Sequence, residues 1–433
     1  MSSPKTRKIT VGALTRVEGE GALHVRVCDD RIEDVRLSIY EPPRFFESFL
    51  RGRAIEEVPD ITARICGICP IAYQMTSVHA LEKALGVRIT PEIRQLRRLL
   101  YCGEWIESHV LHIYMLNAPD FFDSDSGIEL AKQYPDEVNR GLRMKKIGNR
   151  VLEILGGRAI HPINVRVGGF YKAPSVGELT SLLPELQWGL EAAIESARWV
   201  AGFDFPEFDS PVELVALQHP DEYPMNEGRI ASNQRNPIDV DDYEQHFTET
   251  HVAHSTALHS HLGDEQSSYF LGPLARLYFN HERLLPPARR LVEQLCHTWP
   301  MTNRFHAILA RSIEVVHAFA EAIEIIQGYS TLSPPSITYQ HQDATGCAAT
   351  EAPRGMIYHR YQITASGEVQ ASKIVPPTSQ NQKQIESDLR GFLPSLLERS
   401  DSEVARECEK LIRTYDPCIS CSTHFLKLTL ERL

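Results

Sequence analysis

Two stretches near opposite ends of the chain, Arg64-Ile65-Cys66-Gly67-Ile68-Cys69-Pro70 and Asp416-Pro417-Cys418-Ile419-Ser420-Cys421-Ser422-Thr423-His424, decide the reading. A Cys-x-x-Cys loop turns two sulfurs toward one point, and two such loops supply four thiolates, a complete soft tetrahedral set for a metal. Spacing alone fits a structural zinc site as well as a redox-active one. The separation argues for function: 352 residues divide Cys66 from Cys418, whereas zinc ribbons close far shorter loops. Closing so long a loop costs roughly 5 kcal/mol by the logarithmic rule, and structural zinc contributes on the order of 10 kcal/mol. A metal can offset that cost, but only the fold can bring the two loops together.

The other five cysteines, at 28, 102, 296, 347 and 408, are singletons. With 433 residues, 42% of them apolar and 24% charged, the chain has the make-up of a soluble globular protein with room for a large core. Lys and Arg total 45 against 57 Asp and Glu, a net charge of −12, which gives no reason to seek nucleic acid or an anionic membrane. No apolar run reaches the 18 or so residues of a membrane helix. Lys5, Arg7, Lys8, Arg16 and Glu18 interrupt the N-terminus, leaving no signal-peptide core. A disulfide-stapled secreted protein is therefore not expected, and a cytoplasmic location is.

Outward from the cysteine loops, the pattern is α+β and mainly helical: a long-helix body, an N-terminal β-meander and a second β-hairpin. Lys8 to Leu14, Ala22 to Cys28 and the alternating Val35, Leu37 and Ile39 read as the meander. Thr90-Pro91 reads as an N-cap and first helical turn, followed by Ile93, Leu96, Leu100, Ile106, Val110 and Ile113 at helical spacing. Ser175 and Glu178 form a capping box ahead of a helix running to about Phe203. Phe305, Ile308, Leu309, Val316, Phe319, Ile323 and Ile326 make the clearest apolar stripe, with Gly328 as its C-cap. Prolines at 206, 211, 220, 224 and 237 predict loop between about 205 and 243. Met356 to Thr364 and Val369 to Val375 read as a hairpin about Ser366-Gly367, and a last helix through Val404, Cys408, Leu411 and Ile412 stops at Asp416-Pro417. The organisation expected is one unit (1–433) with a β-rich start (1–55), a helical body (56–330), a β excursion (331–380) and a C-terminal helix with the second cysteine motif (381–433).

The two cysteine motifs resemble those of the large, catalytic subunit of nickel–iron hydrogenases. Four more segments match in order: Thr15-Arg16-Val17-Glu18-Gly19, Arg44-Phe45-Phe46-Glu47, Glu351-Ala352-Pro353-Arg354-Gly355 and Val375-Pro376-Pro377-Thr378. Their order and spacing fit the family from about residue 8 to 424. The resemblance implies reversible heterolysis of dihydrogen, with Cys66 and Cys418 as terminal nickel ligands and Cys69 and Cys421 bridging nickel to an iron that carries one carbon monoxide and two cyanides. It further implies Arg354, with Pro353, beside the cyanides, Thr378 as a hydroxyl donor to the other cyanide, and Asp416 next to the nickel. Glu18 would take the proton from Cys418. Glu47, the backbone carbonyl near Ile374 and the His424 side chain would hold a distal magnesium, whose taste for oxygen and water they suit.

Departures from the family pattern are Tyr73, where a histidine often follows the second cysteine by four residues, with His79 further along, and Glu107-Ser108-His109 in place of His-Asp-His. They resemble the cytoplasmic NAD(P)-coupled branch, which includes the sulfhydrogenases. Electrons must then leave through other chains. The remaining cysteines are too scattered for a second cluster, and no Gly-x-Gly-x-x-Gly follows a strand. An iron–sulfur small subunit, flavin-bearing diaphorase subunits and maturation proteins are the implied partners. Relatives are commonly cleaved after the residue matching His424, which leaves Phe425 to Leu433 as the candidate tail. Other readings are a hydrogenase serving a deazaflavin or heterodisulfide reductase partner, the related quinone-chamber subunit of respiratory complex I, which lacks the four cysteines, and a zinc-stapled scaffold.

Overall fold

A computed structural model describes residues 6–42, 45–264 and 267–423. Eight helices position the site: α1 Pro70–Leu85, α2 Pro91–Leu111, α3 Pro135–Gly156, α4 Leu183–Ala201, α5 Pro273–Asn280, α6 Ala307–Gly328, α7 Pro377–Phe392 and α8 Asp401–Thr414. Besides a short pair, Val165–Arg166 with Gly169–Phe170, the strands are β1 Thr6–Val11, β2 Gly21–Cys28, β3 Arg31–Ile39, β4 Glu213–Gln218, β5 Arg229–Ser232, β6 Phe247–Thr250, β7 His259–Leu262, β8 Tyr269–Phe270, β9 Ala344–Ala352, β10 Gly355–Ile363 and β11 Val369–Val375. Among the described residues no helix is long and apolar enough to cross a membrane.

The body is a bundle in which α2 packs on α3 and α6, and α6 on α4. Helix α6 is its axis, buried on nearly every side, as an all-round apolar helix must be. Thr90 Oγ1 accepts the Ile93 N–H ahead of Pro91, so the expected N-cap forms. Helices α2 and α3 cross so closely that a Cβ on Gly148 would stand 2.7 Å from the Gly103 carbonyl oxygen and 2.9 Å from the Glu107 nitrogen. Only glycine allows that approach. Helix α1 lies on β9 and β10, and α7 lies against β3, β7 and β8. Two antiparallel meanders, β1-β2-β3 and β9-β10-β11, flank the bundle.

Several expectations are corrected. Strand β1 ends at Val11 rather than Leu14, because the chain turns back so that the Leu14 N–H meets the Gly21 carbonyl. The Ser175–Glu178 capping box does form, but it opens a short helix, Val176–Thr180, and the chain restarts at Leu183. Pro184 has no N–H to continue the first helix. Gly328 is the last helical residue rather than a left-handed cap; Tyr329, extended at φ −72° and ψ 130°, ends α6. The 205–243 segment is not only loop. Strand β4 is buried there between β5, antiparallel, and β8, parallel. Pro211 and Pro220 bound the apolar run Leu214–Leu217 instead of interrupting it. The 356–375 hairpin forms as expected, with Gly367 at φ +81° in its turn, and β9 adds a third strand that the reading did not resolve.

Candidate metal centre

Both cysteine loops are fixed by their flanks. Cys66 follows a single turn, Ala63–Ile65, and Cys69 stands at the N-cap of α1. Pro70 begins that helix, and the Glu104 carboxylate of α2 accepts its first free N–H groups, Ile71 at 2.6 Å and Ala72 at 3.2 Å. Beyond α8, whose Ser400–Glu403 capping box starts it, Asp416 takes a left-handed φ of 54° and turns the chain into Pro417-Cys418. The second loop is then sewn to the N-terminal segment: Ile419 N–H donates to the Glu18 carbonyl at 2.8 Å, and Glu18 and Cys418 pair as a parallel bridge. Gly19, at φ +88°, makes this possible, since a Cβ there would stand 2.6 Å from Glu41 Oε1 and 2.8 Å from both Ser420 N and Oγ.

The four sulfurs meet in the interior. Cys66 and Cys69 Sγ are 2.8 Å apart, Cys418 and Cys421 2.7 Å, and Cys66 and Cys418 3.6 Å, all four lying within 4.8 Å of one another. Two thiolates on one ion with bonds of about 2.3 Å stand at most about 4.6 Å apart, so the set fits one metal or an adjoining pair. Cys66 is the sulfur most ready to ionise. Burial opposes it, but hydrogen bonds from Cys418, Cys421 and Cys69 and the charge of Arg354 hold it well below the usual thiol range. The Ile68 and Cys69 N–H groups also point at its Sγ, at 3.4 and 3.1 Å. Cys418 is pushed the other way, by hydrogen bonding to Cys421, Cys66 and Cys69 and by burial.

Every residue singled out by sequence that lies within the described residues can be placed. The Cys418 thiol donates to Glu18 Oε2 at 3.1 Å, and the same oxygen accepts the Ser420 N–H at 3.1 Å. Arg354 is buried; its Nε donates to the Asp416 carbonyl at 2.7 Å and its Nη2 to Asp416 Oδ1 at 3.2 Å. Burial works against its charge, but Asp416 and the cysteine sulfurs outweigh it and raise the guanidinium further. Arg354 Nη1 and Asp416 Oδ2 are buried without a hydrogen-bond partner, a donor and an acceptor left over beside four thiolates. Burial raises the Asp416 carboxyl despite Arg354 and Arg311. Thr378 Oγ1 accepts the Cys418 N–H at 3.0 Å, which leaves its own proton free to donate. The Pro353 carbonyl accepts from Arg276 Nη2 at 2.8 Å. Glu47 stands apart, its Oε1 accepting the Ile374 N–H at 2.8 Å. Ile374 sits on the edge strand β11, so its carbonyl opens on the side where its N–H meets Glu47. His424 lies outside the described residues.

The departures sort themselves. Tyr73 is buried with its hydroxyl unpartnered, and burial followed by the charge of the four sulfurs drives its pKa far up, so it faces the cluster as a neutral phenol. His79 bonds the Asn226 carbonyl at 3.0 Å and takes no part. Ser108 Oγ is buried without a partner, while Glu107 pairs with Lys145 at 2.5 Å.

Sequence reasoning missed the support behind Arg354. Arg276 is wholly buried: Nε and Nη2 hold both Glu314 oxygens at 2.7 and 2.8 Å, Nη1 reaches Glu351 at 3.0 Å, and the carbonyls of Ala352 and Pro353 accept from Nη1 and Nη2. Tyr223 Oη donates to Glu314 at 2.6 Å, His109 Nε2 lies 3.0 Å from Glu314, and Trp105 lies under the guanidinium. This network fixes the corner that carries Arg354. The Glu-Ala-Pro-Arg-Gly motif pointed to one member, Glu351; nothing in the sequence pointed to residues 276 and 314.

Residues 44–138 and 265–424 match the model of the nickel-dependent hydrogenases. The chain is 32% identical to the sulfhydrogenase 1 subunit alpha of Pyrococcus furiosus over 97% of its own length and 98% of that protein's. It is 28% identical to the NAD-reducing hydrogenase HoxS subunit beta of Cupriavidus necator, over 97% and 95%. Its fold matches that of an NAD+-reducing [NiFe]-hydrogenase in the H2-reduced state with a TM-score of 0.84 at 24% identity, covering 96% of this chain and 99% of that one.

Proposed function

The chain belongs to the nickel-dependent hydrogenase family, and we propose that it is the catalytic subunit of a nickel–iron enzyme that splits dihydrogen reversibly and passes the electrons through an iron–sulfur partner to NAD(P). When bound, the metal pair would polarise dihydrogen and take its electrons. Cys66, Cys69, Cys418 and Cys421 would hold it. The observation that carries this reading is the unpaired Arg354 Nη1 beside four convergent buried sulfurs. A zinc staple would leave that buried donor without purpose, whereas cyanide and carbon monoxide on an iron would give it an acceptor. The Thr378 hydroxyl is a second donor to the same group.

The protein's own part is the proton. Cys418 Sγ receives it and gives it to Glu18 Oε2 along the 3.1 Å hydrogen bond. Glu18 is half-buried, so its carboxyl reaches from the sulfurs toward solvent. Ser420 Oγ and Glu41 Oε1, 2.9 Å apart, lie next in line. Asp416 and Arg354 pair beside the cluster, Nη2 to Oδ1 at 3.2 Å.

Electrons need another chain, because among the described residues no other cysteine group could hold a cluster. The likeness to an NAD-reducing subunit supports an iron–sulfur partner with diaphorase subunits beyond it. A reaction drawing on NAD(P) also puts the complex in the cytoplasm. Glu47 and Ile374 are the described part of a magnesium site that His424 would complete. An infrared spectrum of the anaerobically purified native complex tests the assignment. One carbon monoxide and two cyanide stretches are expected; a zinc-loaded protein without them refutes it.

A further inference from the structure

We propose that His254, His259 and Glu386 form a second metal site, for one divalent ion of the zinc class, that clasps the β6–β7 hairpin to the β3–α7 layer. The site shares no residue with the sulfur cluster or with Glu47 and Ile374. His254 lies on the loop joining β6 to β7, and His259 opens β7, opposite Thr250. Glu386 comes from α7.

The three ligand atoms lie within 4.8 Å of one another. His254 Nε2 is 2.8 Å from Glu386 Oε1, and His259 Nε2 is 3.8 Å from Glu386 Oε2. An ion with bonds of about 2.0–2.2 Å accepts ligands up to about 4.3 Å apart. Two imidazoles and one carboxylate with an open fourth position is a known zinc ligand set.

Two further observations point to a ligand rather than to an ordinary ion pair. His259 is 6% exposed, and its Nε2 has no hydrogen-bond partner; it faces a carboxylate oxygen too distant to bond, so a buried ring nitrogen is aimed at the space between them. The carboxylate, in turn, is braced from behind. Glu386 Oε1 accepts the Leu37 N–H at 2.8 Å, the kind of outer contact that orients metal ligands.

The frame around the site is rigid. Thr256 N–H donates to the Ile39 carbonyl at 2.8 Å, and Gln382 Nε2 reaches the Leu37 carbonyl at 2.8 Å and Ser255 Oγ at 3.0 Å. Two imidazole nitrogens among three ligands suit a transition ion better than calcium or magnesium.

The test uses the native complex in three forms: wild type, His259→Ala and Glu386→Gln, the last keeping an acceptor for Leu37. Each is exhaustively dialysed, exposed to equal free zinc and assayed for zinc, nickel and iron per large subunit, and then treated with cobalt for its visible ligand-field bands. One more zinc in the wild type than in either variant is expected, a drop in occupancy of about tenfold or more, with cobalt bands lost in the variants and nickel and iron unchanged. Equal zinc in all three forms would overturn the proposal, as would wild-type protein full of nickel and iron that takes up no zinc at this site. Nickel content reports separately on the sulfur cluster, so a failed hydrogenase assignment and a failed zinc site give different results.

Discussion

Replacing Glu18 by Gln separates proton transfer from the other work that residue does. Its backbone carbonyl holds Ile419 and its Oε2 accepts from both Ser420 N–H and the Cys418 thiol. Glutamine has the same length and keeps one acceptor oxygen, so the Ser420 bond survives in neutral form at a cost of about 1 kcal/mol. What it cannot do is take a proton. Losing a general base 3.1 Å from the donor sulfur is worth a factor of about 10² to 10⁴, or roughly 3–5 kcal/mol of barrier at 1.36 kcal/mol per tenfold. The kinetic effect thus exceeds the structural one several-fold. The assay is exchange between deuterium gas and water on the purified complex, with nickel and iron measured in the same sample. Metal content within error of wild type and exchange slowed at least a hundredfold are expected. Exchange within about threefold of wild type, at full nickel, would refute the route. Glu18→Asp retracts the carboxylate by about one carbon–carbon bond and should fall between the two.

Gly19→Ala should cost the cluster itself, because the added methyl meets Glu41 and Ser420 at 2.6–2.8 Å in a left-handed conformation; nickel per chain should drop sharply while circular dichroism keeps its helical signal. Thr378→Val removes the acceptor of the Cys418 N–H and should destabilise by about 1–3 kcal/mol, read as a shifted urea midpoint. Glu314 is held down to about 2, burial being outweighed by Arg276 and His109. Its folded value lies below the ordinary 4.5, so its contribution is present above pH 4.5 and lost as pH falls toward 2. The wild-type urea midpoint should therefore fall more steeply over that window than that of Glu314→Gln, and parallel curves would contradict it. Chelated, metal-free chain should keep its near-ultraviolet signal and unfold cooperatively, unlike small zinc domains that need the ion to fold.

What the sequence made legible was local. The capping residues Thr90 and Ser175, the Gly367 turn and the two Cys-x-x-Cys loops each act within a few residues, and periodicity located α2 and α6. Strand β4 escaped because its prolines mark its ends, and proline reads the same whether it bounds an element or breaks it. The length of the Ser175 helix was misjudged for the converse reason, since Pro184 was tolerated as a first-turn residue of a new helix.

The network that supports the Arg354 corner escaped for a deeper reason. An arginine at 276 and a glutamate at 314 are each, in sequence, a lone charge on a helix, and the usual inference is a solvated face; of the three network residues only Glu351 stands in a motif. Here all three are buried, and the structure pays their desolvation only because they satisfy one another and two backbone carbonyls next to Arg354. Such a network gains little stability over an apolar core. What it does supply is a fixed position for the Pro353–Arg354 corner, from which the guanidinium grips Asp416 directly. Arg413 does the same at the other flank, binding Asp120 with Nε and Nη2 and the Thr15 carbonyl with Nη1, while Arg16 meets Asp120 as well. The second cysteine loop is therefore held by N-terminal and mid-chain residues as well as by its own sulfurs. Protein contacts of this kind close the long loop between Cys66 and Cys418 and bring the four sulfurs together.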